Sequence, residues 1–224
     1  MPRRSAPPRR RTLNRDAIVA KALEIADAEG VDQVSFRRLA ADFGVTPMAL
    51  YTHVRDKSDL LDALADSVLG EIQVPTAIDL DWTDKLRQGL QAVYAAFDRH
   101  PSSGAVLARP LLSPSSMRVV EMWLATLGQA GFSPAESVRL IQALTSMILG
   151  GVVLSSAYAH MNREPDESAI ASGKLAARDN PTLAIVLPAF VDWRGGPQQR
   201  DLTIELVVGG LKAIAKQRRT RPPK

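Results

Sequence analysis

The chain has 224 residues, 46% of them apolar and 23% charged, which is the balance of a folded globular protein rather than a disordered or fibrous one. It has no cysteine, so a disulfide framework, a thiolate nucleophile and a thiolate metal site are all excluded. The net charge of +4 is unevenly placed: residues 1 to 15 hold six arginines and no acid, residues 212 to 224 hold six Lys or Arg and no acid, and the body between them is acidic. Basic ends on an acidic body are the electrostatic footprint of a polyanion partner, nucleic acid or anionic membrane, although merely solubilising ends share that composition. No apolar run follows Arg11, so no secretory leader is expected and a cytoplasmic location follows.

In chain order, Pro2, Pro7 and Pro8 among the arginines mark residues 1–13 as an extended basic arm. Asn14 is placed to cap a first helix whose apolar stripe holds Ile18, Val19, Ala22, Leu23, Ile25 and Ala26, ended by Gly30. Ser35 caps a short second helix with Phe36, Leu39, Ala40 and Phe43 on one face and Gly44 as its stop; Arg37 and Arg38 point off that face. Thr46-Pro47 then supplies an N-cap and a first-turn proline for a third helix anchored only by Leu50 and Val54. Two short helices joined by a glycine turn and preceded by a longer one form a helix-turn-helix arrangement, in which the second short helix enters the DNA major groove.

Asp56 and Asp59 form a capping pair for a fourth helix with Leu61, Leu64, Ala65, Val68 and Ile72 on one face. Asp81 opens a fifth, carrying Leu86, Leu90, Val93, Tyr94 and Phe97 and closed by His100-Pro101. Ser113-Pro114 opens another with Val120, Trp123, Leu124 and Leu127, and Ser133-Pro134-Ala135-Glu136 is a capping box. The uncharged run Leu140 to Ala159 raises a membrane span, but Gln142, Thr145, Ser146, Ser155 and Ser156 would all need partners in lipid, so a buried helix is expected. Residues 162 to 181, broken by Pro165, Gly173 and Pro181, read as a long connection, and a last helix carries Ile204, Val207, Val208, Leu211 and Ala215. No strand alternation occurs, so the fold class is all-α.

Gly150-Gly151 and Gly209-Gly210 each interrupt a strongly helical pattern at a cost of roughly 1 kcal/mol per glycine relative to alanine. Close helix packing across a two-fold axis of a homodimer would compensate; a kink within one chain is the other reading.

Taken together, Ala26 to Gly30, Leu39-Ala40, Phe43-Gly44-Val45, Leu50-Tyr51, His53-Val54, Lys57 and Leu60 to Leu64 resemble the TetR family of transcriptional regulators. Trp82, the run Gln129 to Ser133, Leu149-Gly150 and Gly209-Gly210-Leu211 resemble the ligand-binding domain of its tetracycline repressor subgroup. The resemblance implies a helix-turn-helix domain over 14–57, a linking helix over 57–73, a helical ligand-binding and dimerisation domain over 74–218 and a basic tail over 219–224. It also implies a homodimeric repressor that binds an inverted-repeat operator in double-stranded DNA and is released from it by a small molecule.

Carried over by motif position, Arg37, Thr46, Pro47, Met48 and Ala49 would meet bases, and Tyr51, His53 and Lys57 would lie near phosphates. The chemistry suits these roles: Arg37 for a guanine edge, Met48 and Ala49 for a thymine methyl, Lys57 as a point charge. The arm would follow the adjacent minor groove. The bland alternatives are a core ring for Tyr51 and a plain surface residue for His53.

The sequence departs from the tetracycline repressors where their drug–metal chemistry lies: no His, Asp, Glu or Cys stands between Pro101 and Pro114, and no acid between Arg139 and His160. A magnesium-chelated ligand finds no donors there, so tetracycline should not bind, and no cofactor or metal is expected. Alignment puts Gly89, Val93 and Trp123 where the subgroup uses polar contacts. The pocket should be apolar, lined by some of Val93, Tyr94, Phe97, Met122, Trp123 and Met147, with Arg109 to anchor an acidic group. Each of these residues also serves as ordinary core.

His53, His100 and His160 have no metal-ligand spacing, and no nucleophile elbow, phosphate loop or dinucleotide fingerprint occurs, so no enzyme is expected. The rival reading is a non-specific architectural DNA binder working through its basic ends, with a membrane-surface protein third. Neither rival needs Gly44, Thr46-Pro47 and Tyr51 in their register.

Overall fold

Asn14 starts the first helix by accepting a hydrogen bond from the Ala17 amide at 2.8 Å, and Gly30, at φ +96°, stops it. Between them α1 (Arg15–Glu29) buries Ile18, Val19, Ala22, Ile25 and Ala26 along one side. The helix belongs to a computed structural model that describes residues 13–74, 79–107, 112–160, 167–192 and 197–220; among these residues the regular structure is entirely helical. The chain divides into two compact units, residues 1–141 and 142–224.

In the first unit, Ser35 caps α2 (Phe36–Phe43) through the Arg38 amide, and Gly44 closes it in the left-handed region at φ +66°. α3 (Pro47–Leu50) begins at once. Thr46 occupies its N-cap position but makes no capping hydrogen bond with its side chain, contrary to expectation; Pro47, whose ring fixes φ, sets the helix start instead. α4 (Lys57–Gly70) is capped by Asp56, whose carboxylate accepts from the Asp59 amide at 2.8 Å. Its buried face holds Leu60, Leu64, Ala65 and Val68, continued by Ile72. Leu61, expected on that face, is only half-buried, because the stripe starts one residue earlier.

α5 (Trp82–Arg99) buries Leu86, Leu90, Val93, Tyr94 and Phe97 and ends at His100, where the 3-10 turn Pro101–Ser103 leads into α6 (Gly104–Leu107). α7 (Pro114–Gln129) opens on a reciprocal Ser113–Ser116 capping box. Its buried stripe is Val119, Met122, Trp123, Thr126 and Leu127, rotated from the expected Val120 and Leu124, which are half-buried. Thr126 is tolerated inside because its hydroxyl donates to the Met122 carbonyl at 2.8 Å. α4 packs against α1, α5 and α7, and Asp66 Oδ1 accepts from the Ser115 amide at 3.0 Å, tying α4 to the start of α7.

α8 (Pro134–His160) begins in the first unit and continues in the second, where α9 (Glu167–Ala177), α10 (Pro181–Asp192) and α11 (Pro197–Arg219) follow. The stretch read as a long connection therefore contains a helix; Pro181 is the first residue of α10 rather than a breaker, and α9 packs against α10. Over Leu140 to Leu154 the expectation of a buried helix is corrected as well; the side chains of Ser155, Ser156 and the rest of the run to Ala159 lie outside the described residues. Leu144, Ile148 and Val152 are buried at i, i+4 and i+8, but Met147, Val153 and Leu154 are about half exposed and Gln142, Thr145 and Ser146 face outward. Among the described residues, Pro134–Leu154 is the one stretch long and apolar enough to cross a membrane by length and composition. On α11, Ile204, Val208, Leu211 and Ala215 are buried and Val207 is half-buried. Both helices run unbroken through their glycine pairs, and a methyl group built at Gly150, Gly209 or Gly210 meets nothing within 4 Å. The close approach that would offset these glycines is not made at those three positions inside the chain.

Candidate nucleic-acid interface

Leu50 and Val54 are fully buried, so the segment between Gly44 and Lys57 is pinned by one stripe and free on the other. Thr46, Pro47 and Met48 are exposed, Met48 to 73%, and Ala49 is half-buried. A methionine held this far into solvent at the start of a rigidly anchored helix has no packing role in the chain. Arg37, on α2, and Lys57, the first residue of α4, are also exposed. A lysine there is unfavourable to the helix by itself, since the N-terminal end of a helix carries partial positive charge; the same placement is favourable for holding an anion.

Tyr51 caps the C-terminal end of α3 and is 46% exposed. One face of its ring stacks on Phe36, with centroids 4.5 Å apart and planes within 7°. The ring thus packs on one face while remaining half open to solvent. His53 is half-buried in the turn that follows.

Two residues that carry no sequence signal for this role hold the turn in place. Arg15 donates to Asp59 from Nη1 at 3.0 Å and from Nη2 at 2.8 Å, and Nη1 also donates to the His53 carbonyl at 3.1 Å. Asp59 in addition accepts from the Arg55 amide at 2.9 Å. It therefore does not return the hydrogen bond of its capping partner Asp56; its carboxylate serves the turn and α1 instead. The Arg15 hydrogen bonds, against the opposing effect of burial, hold the Asp59 carboxyl well below the usual carboxylate range. The bidentate pair fixes the start of α1 to the turn that carries Tyr51 and His53.

Of the expected ligand-contacting residues, Val93, Tyr94, Phe97, Met122 and Trp123 are buried on α5 and α7, which pack together. At Gly89 a methyl group would stand 3.0 Å from the Trp123 ring. Met147 belongs to the second unit and is 46% exposed, and Arg109 lies outside the described residues. Among the described residues no group of three or more His, Asp or Glu is placed to hold a metal ion.

The N-terminal part matches the model of bacterial regulatory proteins of the tetR family over residues 18–64, and residues 74–213 match the tetracycline repressor-like C-terminal domain. The chain belongs to the TetR family of transcriptional regulators. This TetR-family protein is 33% identical over 207 residues to an HTH-type transcriptional regulator of Saccharopolyspora erythraea, covering 91% of this chain and 86% of that one. It is 28% identical to the class C tetracycline repressor protein of Escherichia coli, covering 90% and 92%. Its fold superposes with a TM-score of 0.76 and 26% identity on ActR of Streptomyces coelicolor in complex with (S)-DNPA, covering 90% of this chain and 98% of that one. The fold, the family and the role as a helix-turn-helix transcriptional regulator accord with the sequence reading.

Proposed function

We propose that this TetR-family regulator is a cytoplasmic homodimeric repressor, that α3 of each copy reads one half-site of an inverted-repeat operator, and that a small, largely apolar molecule releases it. The observation that carries the DNA reading is the anchored, solvent-facing segment Thr46 to Tyr51, with Met48 exposed to 73% above buried Leu50. Thr46 at the N-cap of α3 and Pro47, Met48 and Ala49 on it, with Arg37 from α2, contact bases, and Tyr51, His53 and Lys57 contact phosphates. The basic arm before residue 13 adds minor-groove charge. A non-specific architectural binder needs charge alone and gives no reason for an exposed methionine on a pinned helix.

Dimerisation is supported by the outward apolar faces of α8 and α11. Met147, Val153 and Leu154 on the one and Leu202, Leu206 and Ile214 on the other are between 44% and 62% exposed, beside glycines whose added methyl groups meet nothing in the chain. For the effector, the apolar and aromatic side chains of Val93, Tyr94, Phe97, Met122 and Trp123, buried on α5 and α7, support an apolar molecule rather than a magnesium-chelated tetracycline.

Two measurements test the proposal. Binding at near-physiological salt should discriminate a selected duplex from random duplex by about a thousandfold or more; equal affinity for the two would replace it with the architectural reading. A tetracycline-dependent thermal shift would overturn the effector assignment.

A further inference from the structure

α1 and α4 are tied together at both ends. At their N-terminal ends the tie is Arg15 to Asp59. Twelve residues further along each helix, about 18 Å away, Asp27 and Glu71 are joined through a third residue, His100. Its Nδ1 lies 2.7 Å from Asp27 Oδ2 and its Nε2 lies 3.0 Å from Glu71 Oε1. Between the two ties the contact is apolar, with Ile18, Ala22 and Ile25 on α1 and Leu60, Leu64 and Val68 on α4 all buried. His100 itself is 9% exposed, and its backbone is fixed by the end of α5 and the turn at Ser103.

We propose that His100 is a proton-operated latch between α1 and α4, a positioning residue that holds the DNA-reading unit in register and makes DNA affinity depend on pH. The argument is one of hydrogen-bond count. Ionised carboxylates only accept, and a neutral imidazole has one N–H; only the doubly protonated ring donates to both Asp27 and Glu71. Without that proton, one carboxylate faces a nitrogen lone pair in a site where Asp27 Oδ1 is already buried and without a partner. The other tie runs through arginine and does not change charge near neutral pH, whereas histidine is the residue type that exchanges a proton there.

The charged groups facing the ring are Asp27 from α1, Glu71 from the end of α4 and Arg99 from α5, whose Nε donates to Glu71 Oε2 at 2.8 Å. From α7, Arg118 donates to the carbonyls of Leu69 and Gly70 beside them, and the turn Pro101–Ser103 offers only serine hydroxyls. Glu71 stays ionised: burial pushes its carboxyl up, but hydrogen bonds from Arg99 and His100 outweigh that and hold it below the ordinary range. Of the bases, only a doubly protonated His100 and Arg99 bond to the two carboxylates; Arg118 bonds backbone carbonyls.

Because His53 is a second imidazole, in the segment proposed to meet DNA, the test is made in the His53→Gln background of the whole chain. Affinity for a duplex enriched from a random library is measured from pH 6 to 8.5 at constant ionic strength. The single variant should lose roughly fivefold in affinity across that range, whereas His53→Gln/His100→Gln and His53→Gln/Asp27→Asn should show a flat profile. Asp27→Asn keeps the shape of the site and decides the matter if the His100 variant does not fold. In parallel and without DNA, amide exchange of Ala26 to Glu29 and Val68 to Ile72, corrected for its intrinsic pH dependence, should accelerate with rising pH only when His100 and Asp27 are both present. Equal slopes with and without His100, or no slope in the His53→Gln protein, would overturn the latch.

Discussion

The ring of Tyr51 lies flat against the ring of Phe36, 4.5 Å between centroids and 7° between planes. The stack joins the first residue of α2 to the C-terminal end of α3, so the two short helices of the reading head are braced by an aromatic pair as well as by Leu39, Leu50 and Val54. It also sets where the phenolic hydroxyl of a half-exposed tyrosine can point.

Phe36 should therefore matter to DNA binding through Tyr51. Phe36→Ala is expected to weaken binding by about 1 kcal/mol, roughly fivefold, in the wild type. In a Tyr51→Phe background, where no hydroxyl remains to be aimed, the same change should cost much less. A double-mutant cycle by fluorescence anisotropy checks this; additive losses would mean that the stack does not position the hydroxyl.

Arg37 and Lys57 should separate by the kind of binding they support. Lys57→Ala is expected to weaken binding on every duplex and to reduce the slope of log K against log salt by about 1. Arg37→Ala should instead relax preference at one base in each half-site, by about 1–3 kcal/mol. Salt titrations on matched and single-base-altered duplexes distinguish the two.

The Arg15–Asp59 pair should show itself in acid. A carboxyl held below its ordinary range in the folded chain stabilises the fold at pH values above the unfolded-state value, about 4, and that stability is lost as pH falls further. Asp59→Asn is therefore expected to cost about 2 kcal/mol at pH 7 and progressively less below pH 4. Urea unfolding at pH 7 and pH 3 reads the difference directly; an unchanged cost at both would remove the ion pair as its source.

Gly150 and Gly209 should be tolerant of side chains within the chain and intolerant between chains. A methyl group at either position meets nothing within 4 Å in the single chain, so Gly150→Ala and Gly209→Ala should not lower the thermal midpoint of the isolated subunit. Sedimentation should give twice the 24.3 kDa chain mass for the wild type and a shift toward one chain mass for Gly209→Leu. A wild-type mass of one chain at micromolar concentration would end the dimer proposal.

Local chemistry was the most readable part of the sequence. Asn14, Ser35, Asp56 and Ser113 cap as their positions suggest, and Gly30 and Gly44 take the positive φ that their placement after a helix predicts. Exposure of Met48 and anchoring by Leu50 followed from one apolar stripe too narrow to use the remaining side chains. Facing was harder: on α4 and α7 the buried stripe is offset by one residue, because runs such as Leu60-Leu61 and Val119-Val120 offer two adjacent apolar choices and only the packing partner selects between them. α9 was missed because Gly173 and the flanking prolines read as breakers, yet Pro181 stands where a first-turn proline is favoured. The contacts of Arg15 with Asp59 and of His100 with Asp27 and Glu71 span 29 to 73 residues of sequence, and no local pattern encodes pairings of that range.

The central claim is that the segment Thr46 to Tyr51 reads DNA sequence. It is tested most directly by selecting from a random duplex library, at near-physiological salt, with the wild type and with Thr46→Ala/Met48→Ala side by side. The account predicts an inverted repeat for the wild type and, for the variant, the same half-site spacing with altered preference at symmetry-related positions. Salt-sensitive retention of DNA with no enriched sequence, or an identical site for both proteins, would contradict it.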